Sequence, residues 1–122
     1  MTLQELYQSI GGDYDQAIRV LRVEKLIDKH IRKYPAGGVT AAVIAAGENM
    51  NGQALFEAAH AMKGVCANLG LRELAELASA VTEEFRPGNP RTMTDGEVRE
   101  ILRRIDEVNR RTVAGISAYT EA

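Results

Sequence analysis

The segment of residues 53–70, QALFEAAHAMKGVCANLG, carries the side chains best suited to chemistry. Placed on a helix at about 100° per residue, its apolar residues form one stripe centred on Met62, and His60 falls about 160° away from that centre. The other members of the stripe are Leu55, Ala58, Ala59, Val65, Cys66 and Leu69. We therefore expect His60 to point into solvent from the middle of a helix, opposite a buried face that includes Val65.

The neighbours of His60 on the outer face leave room for a partner. Lys63 lies three residues on, one turn away on the same side, and Gly64 lies four residues on, where a larger side chain would crowd the imidazole. A glycine inside a helix costs about 1 kcal/mol relative to alanine, so we expect the space beside His60 to be used. We predict that this face binds the partner, through Gln53, Phe56, Glu57, Gly64 and Ala67. For Phe56 alone, partial burial under a neighbouring helix is an equal alternative.

An exposed histidine with a nearby ammonium and an open space beside it suits phosphoryl transfer. A histidine side chain is largely neutral, and hence nucleophilic, near pH 7. The segment offers no second base, oxyanion hole or set of metal ligands, which hydrolysis would need. It favours a covalent carrier in which His60 attacks a phosphoryl group and Lys63 stabilises the charge on its oxygens. In that case the partner would supply the Mg²⁺ and the in-line geometry.

Helical patterns run through almost the whole chain around this segment. Prolines occur only at positions 35, 87 and 90, where the patterns break. Capping-box spacings open a short first helix, Thr2-x-x-Glu5, and a long last one, Thr94-x-x-Glu97. From Asp13 the pattern stays helical to about residue 34, with room for a bend near residues 22–24. A short Ala-rich helix follows over residues 40–46, and we expect Gly47 to close it.

A helical hairpin and the last helix complete the pattern. The hairpin covers residues 53–86, and its first helix ends at Gly70, a position that favours a left-handed residue. The last helix spans about residues 95–119. Short links between amphipathic helices favour antiparallel neighbours. We predict one domain over residues 1–122, an all-α antiparallel four-helix bundle with short accessory N-terminal helices.

Composition excludes several other classes of protein. With 15 basic and 17 acidic residues the formal charge is −2, so the chain has no basic excess for nucleic acid. No apolar run approaches the roughly 18 residues that a membrane span needs. Cys66 is the one cysteine, and its place on the apolar stripe predicts a buried residue rather than a redox thiol. His30 lies among charged residues, and we interpret it as an ordinary surface side chain. The N-terminus has no signal-peptide pattern, so we expect a cytoplasmic protein.

The residues HAMKGVCANLG resemble the signature of histidine-containing phosphotransfer (HPt) domains, which is H-x-x-K-G followed by five residues and a glycine. His60, Lys63, Gly64 and Gly70 match this signature, and the likeness in layout covers about residues 13–120. The resemblance implies a helical bundle in a phosphorelay, with His60 accepting a phosphoryl group from a receiver-domain aspartate and passing it to another receiver. It implies a carrier without kinase activity of its own.

The resemblance also implies the partners. These would be response-regulator receiver domains and a sensor (hybrid) histidine kinase, with Mg²⁺ held by the receiver and no cofactor of the chain's own. We expect a monomer that binds neither nucleic acid nor membrane. Two alternatives stay open. One is an HPt-like module that docks a receiver without carrying phosphate, and the other is a helical binding or oligomerisation domain in which the motif is incidental.

Overall fold

Helices follow one another along residues 1–121, the part of the chain that the computed structural model describes, and no strand occurs in that range. The helices are α1 (Leu3–Ile10), α2 (Tyr14–Leu21), α3 (Glu24–Lys33), α4 (Val39–Glu48), α5 (Gly52–Asn68), α6 (Arg72–Glu84) and α7 (Asp95–Glu121), and a 3-10 turn over Tyr34–Ala36 precedes α4. The all-α prediction is confirmed.

The four C-terminal helices form the bundle that carries the motif. Helix α5 packs against α4 and α6, and α7 packs against the same two helices on the other side. Only residues 69–71 link α5 to α6, so the two helices run antiparallel as a hairpin. The apolar faces of all four meet in the core, where Val43, Leu55, Leu74 and Ile105 are at most 1% exposed. The predicted bundle is therefore observed, with helix bounds within a few residues of those expected.

The N-terminal helices close one end of this bundle. Leu6 and Tyr7 of α1 are 0% and 1% exposed, and the Tyr7 hydroxyl donates to the carbonyl oxygen of Leu69 over 2.6 Å. The stretch predicted to run from Asp13 to about residue 34 is divided into α2 and α3 at Arg22, whose φ of 76° interrupts the helix. The division falls inside the range where a bend was expected.

Helix α4 extends past the glycine that was expected to end it. The helix continues to Glu48, and Gly47 lies buried within its last turn. A Cβ at this position would collide with the side chain of Leu102 on α7. The prediction that Gly47 closes the helix is wrong, because this glycine allows α4 and α7 to pack closely rather than changing the direction of the backbone.

A buried carboxylate organises the loop between α6 and α7. Glu84 accepts hydrogen bonds from Arg91 Nε at 2.8 Å, from the backbone N–H groups of Thr92 and Met93 at 3.0 and 2.9 Å, and from the Thr92 hydroxyl at 2.7 Å. The backbone bond from Met93 and the bond from Arg91 lead the set of interactions that lowers the pKa of Glu84 to about 2. Thr94 and Glu97 then form the predicted capping box that starts α7.

Candidate functional site

His60 lies near the middle of α5 and is exposed. Asn51 caps the start of the helix, and its side-chain oxygen accepts from the backbone N–H of Ala54 over 3.0 Å. The opposite face of the helix is fully covered, with Met62 and Cys66 at 0% exposure. The expected opposition between an exposed His60 and a buried Met62 and Cys66 is confirmed. Burial raises the pKa of the Cys66 thiol to about 11, in keeping with an inert core residue.

One residue of the apolar stripe is not in the core. Val65 is 37% exposed, so the prediction that it faces the interior is wrong. Phe56, Lys63 and Ala67, which were predicted on the outer face, are half-buried instead. Helix α6 packs along their flank of α5, whereas the Val65 flank faces an open groove, so the buried face is rotated away from Val65.

The imidazole of His60 is stacked on the ring of Phe56. The two ring centroids are 5.7 Å apart and the planes are inclined by 23°. The guanidinium carbon of Arg86, just beyond α6, lies 5.4 Å from the centroid of the Phe56 ring. Partial burial of Phe56, one of the two alternatives for this residue, is what the structure shows.

Two charged residues near the site were not found by sequence reasoning. Glu83 on α6 accepts from Arg86 at 2.6 Å. This bond and the charge of Arg86, with a smaller effect of the nearby Lys63 ammonium, lower the pKa of the Glu83 carboxyl. The predicted antiparallel hairpin could have pointed to them, because residues at similar distances from Gly70 on the two helices lie opposite each other. A helical wheel of α5 alone contains no such information.

The space beyond His60 is open. A Cβ built on Gly64 would have no atom within 4 Å outside its own helix. Gln53 and Glu57 are exposed on the same face of α5 and are joined by a hydrogen bond of 3.2 Å. Within residues 1–121 the Lys63 ammonium makes no ion pair, and the nearby Glu83 carboxylate pairs with Arg86. This face of α5 therefore combines the exposed imidazole of His60, the ammonium of Lys63, unpaired in the described part of the chain, and the open space at Gly64.

Other parts of the molecule add little to this site. The groove on the Val65 flank encloses about 340 Å³ and is also lined by Leu69, Tyr34 and His30. His30 is exposed on α3, as expected, and lies across this groove rather than beside His60. Among residues 1–121 no group of three or more His, Cys, Asp or Glu side chains is arranged to hold a metal ion.

The comparison with protein families decides which class this geometry belongs to. The Hpt domain family model matches residues 2–110 of the 122-residue chain. The chain belongs to the Hpt domain family. Hpt domains act in phosphorelays by histidine phosphotransfer, as carriers of the phosphoryl group rather than as enzymes, and they interact with receiver domains and kinases of two-component systems. No curated protein and no solved structure matched the chain.

The matched region of this Hpt domain includes the whole site. Residues 2–110 cover α5, α6 and the accessory helices that close the bundle.

In the part of the chain that the structure describes, no helix has the length and apolar character needed to cross a membrane.

Proposed function

We propose that His60 is the phosphoacceptor of this Hpt domain, and that it takes a phosphoryl group from the aspartate of one receiver domain and gives it to another. The observation that carries the proposal is the exposure of His60 at the centre of α5, beside the open space at Gly64. A signalling chain that begins at a sensor (hybrid) histidine kinase would supply the first receiver. The chain would act as a monomer in the cytoplasm, where such receivers are phosphorylated.

In the transfer step, the reacting group of this chain is one imidazole nitrogen of His60. A neutral imidazole nitrogen of His60 attacks the phosphorus of the aspartyl phosphate. The P–N bond forms as the P–O bond to the aspartate breaks, and the aspartate leaves as a free carboxylate. The second imidazole nitrogen keeps its proton. Transfer to the next receiver reverses these steps, with its aspartate as the attacking group.

Lys63 supplies positive charge for the phosphoryl oxygens. It lies one turn from His60 and makes no ion pair within residues 1–121, so its ammonium is free to approach the transferred group. Positioned cations that stabilise charge developing on the phosphoryl oxygens are a recurring part of phosphoryl transfer. In this proposal the Mg²⁺ is bound by the receiver; within residues 1–121 no group of three or more His, Cys, Asp or Glu side chains is arranged to bind a metal ion.

The docking face consists of Gly64, the exposed Gln53 and Glu57, and the half-buried Ala67. A receiver must bring its aspartate within bonding distance of the imidazole, and the absence of a side chain at Gly64 provides that access. Gln53, Glu57 and Ala67 lie along the same side of α5 and would contact the receiver around the site of transfer. Gly64 and the small side chain of Ala67 allow a close approach, and the polar Gln53 and Glu57 can stay hydrated at the rim of the contact.

Incubation with a phosphorylated receiver domain tests the proposal. We expect acid-labile label to appear on the wild-type chain and to be absent from His60→Gln. The substitution replaces an exposed side chain and removes its stack on Phe56, so the free energy of unfolding should fall by no more than about 1 kcal/mol. His30→Gln is the matched control and should be labelled like the wild type. Binding of the receiver without any label would support a docking module instead, and label on His60→Gln at the wild-type rate would refute the assignment.

A further inference from the structure

Phe56 and His60 form a stacked pair along one flank of α5. They are four residues apart and therefore adjacent on the helix surface. Their centroid separation of 5.7 Å and inclination of 23° describe an offset stack of the kind that aromatic rings prefer. Phe56 is half-buried, and the Arg86 side chain from the other arm of the hairpin lies over its ring, so the ring is less free to move than a fully exposed one.

The position of Phe56 is itself secured from α6. Arg86 lies over the Phe56 ring with its guanidinium carbon 5.4 Å from the centroid, within the range of a cation–π contact. The guanidinium is held by Glu83 through bonds of 3.2 and 3.1 Å from Nε and 2.6 Å from a terminal nitrogen. A chain of contacts thus runs from Glu83 through Arg86 and Phe56 to His60.

The support of the imidazole is one-sided. The turn before His60 holds the Phe56 ring, whereas the turn after it holds Gly64, where a Cβ would meet nothing within 4 Å. An unsupported histidine on a helix surface exchanges between rotamers, and only some of them direct a ring nitrogen towards an incoming phosphorus atom. A ring that rests on one side and is open on the other is already oriented when the partner arrives.

We infer that Phe56, fixed by Arg86 and Glu83, is a positioning residue that orients the imidazole of His60 for phosphoryl transfer, an inference that rests on the proposed function. Phe56 acts through His60 and need not touch the receiver. This role differs from docking in a measurable way. A docking residue changes the receiver concentration needed for half-maximal transfer, and a positioning residue changes the transfer rate at saturating receiver.

Single-turnover transfer from a phosphorylated receiver, measured over a range of receiver concentrations, separates the two roles. For Phe56→Leu we expect the saturated rate to fall about tenfold while the half-saturating concentration stays within about twofold of wild type. Phe56→Tyr keeps an aromatic ring and should restore the rate. Phe85→Leu is the matched control, because Phe85 is the other half-buried phenylalanine and also lies under an arginine, Arg91, at 4.5 Å, but takes no part in the stack.

The imidazole is observed directly in the same variants by NMR. The ring protons of His60 should show nuclear Overhauser contacts to Phe56 in the wild type, and their ring-current shifts should disappear in Phe56→Leu and remain in Phe85→Leu. A wild-type protein without these contacts would overturn the inference, whatever the kinetics. So would a Phe56→Leu variant whose half-saturating concentration rises while its saturated rate is unchanged. Absence of label on His60 in the wild type would instead overturn the proposed function, and the NMR contacts would still report on the stack.

Discussion

The backbone N–H of Asp13 donates a hydrogen bond of 2.7 Å to the carbonyl oxygen of Gly70, which joins the start of α2 to the turn between α5 and α6. Gly70 has a φ of +67°, and a Cβ there would collide with the carbonyl oxygen of Asp13. The glycine of the motif that is farthest from His60 therefore has a structural role. It lets the hairpin turn pack directly against the N-terminal helices.

Substitution of this glycine should destabilise the fold. In Gly70→Ala the left-handed backbone alone costs about 1 kcal/mol, and the collision with Asp13 adds to that. Gly11→Ala is a close control, because Gly11 has a φ of +68° and a Cβ there would meet nothing within 4 Å. We expect urea denaturation to give a lower free energy of unfolding for Gly70→Ala than for Gly11→Ala. Equal losses in the two variants would show that the Asp13 contact is unimportant.

Lys63→Ala should keep the nucleophile and slow the transfer. Removal of a buried charge-stabilising donor costs about 10²–10³ in rate, and we expect about tenfold here because water screens a partly exposed ammonium. Rapid-quench measurement of label transfer to the chain provides the rate. Lys29→Ala removes an exposed lysine of α3 and should transfer at the wild-type rate. A Lys63→Ala rate equal to that of Lys29→Ala would exclude the proposed role.

Gly64→Leu should prevent the approach of a receiver while leaving the helix intact. A leucine at this position would stand beside the imidazole in space that is otherwise empty, so the circular dichroism spectrum should stay helical. The melting temperature should not fall, because leucine favours a helix over glycine by about 1 kcal/mol. Transfer from the phosphorylated receiver should be lost. A small donor such as phosphoramidate has no docking surface, and labelling of His60 by this donor should persist. Loss of both activities would point to damage at His60 itself.

The carboxylate of Glu84 should make stability depend on pH in the acid range. Its pKa is lowered to about 2 from an ordinary value of 4.5, so it favours the folded state above pH 4.5, and this contribution is lost as the pH falls through about 2. Glu84→Gln should lower the melting temperature at neutral pH, and the gap to wild type should narrow on acidification. Glu76→Gln, an exposed change on the same helix, is the control. A gap that stays constant from pH 7 to pH 2 would contradict this account.

The sequence predicted where the helices lie better than it predicted which helices pack against each other. The spacing of apolar residues in α5 placed His60 outside and Met62 inside, because that opposition depends only on the period of the helix. The same spacing placed Val65 wrongly, since the width of the buried face depends on which helices pack on each flank. The role of Gly47 was also predicted wrongly. A glycine that ends a helix and a glycine that allows two helices to pack closely cannot be distinguished without knowing which helix packs against it.

The charged residues near the site could not be predicted from the spacing of residues within one helix. Glu83 and Arg86 reach Phe56 and His60 only through the register of the hairpin, which a periodicity of one helix does not contain. His60, Lys63 and Gly64 were within reach because they lie in one turn of one helix, where sequence spacing and spatial spacing coincide.

On the proposed function, the open space at Gly64 would also set the order of events in a relay. His60 is supported by Phe56 on one side and open on the other, so a donor and an acceptor receiver must reach it from the same direction. We therefore expect that the two would not bind at once and that the first would leave before the second arrives. On the proposed function, the relay is a ping-pong process in which the phosphorylated chain exists free between two encounters. An excess of dephosphorylated donor would then compete with the acceptor and slow the onward transfer.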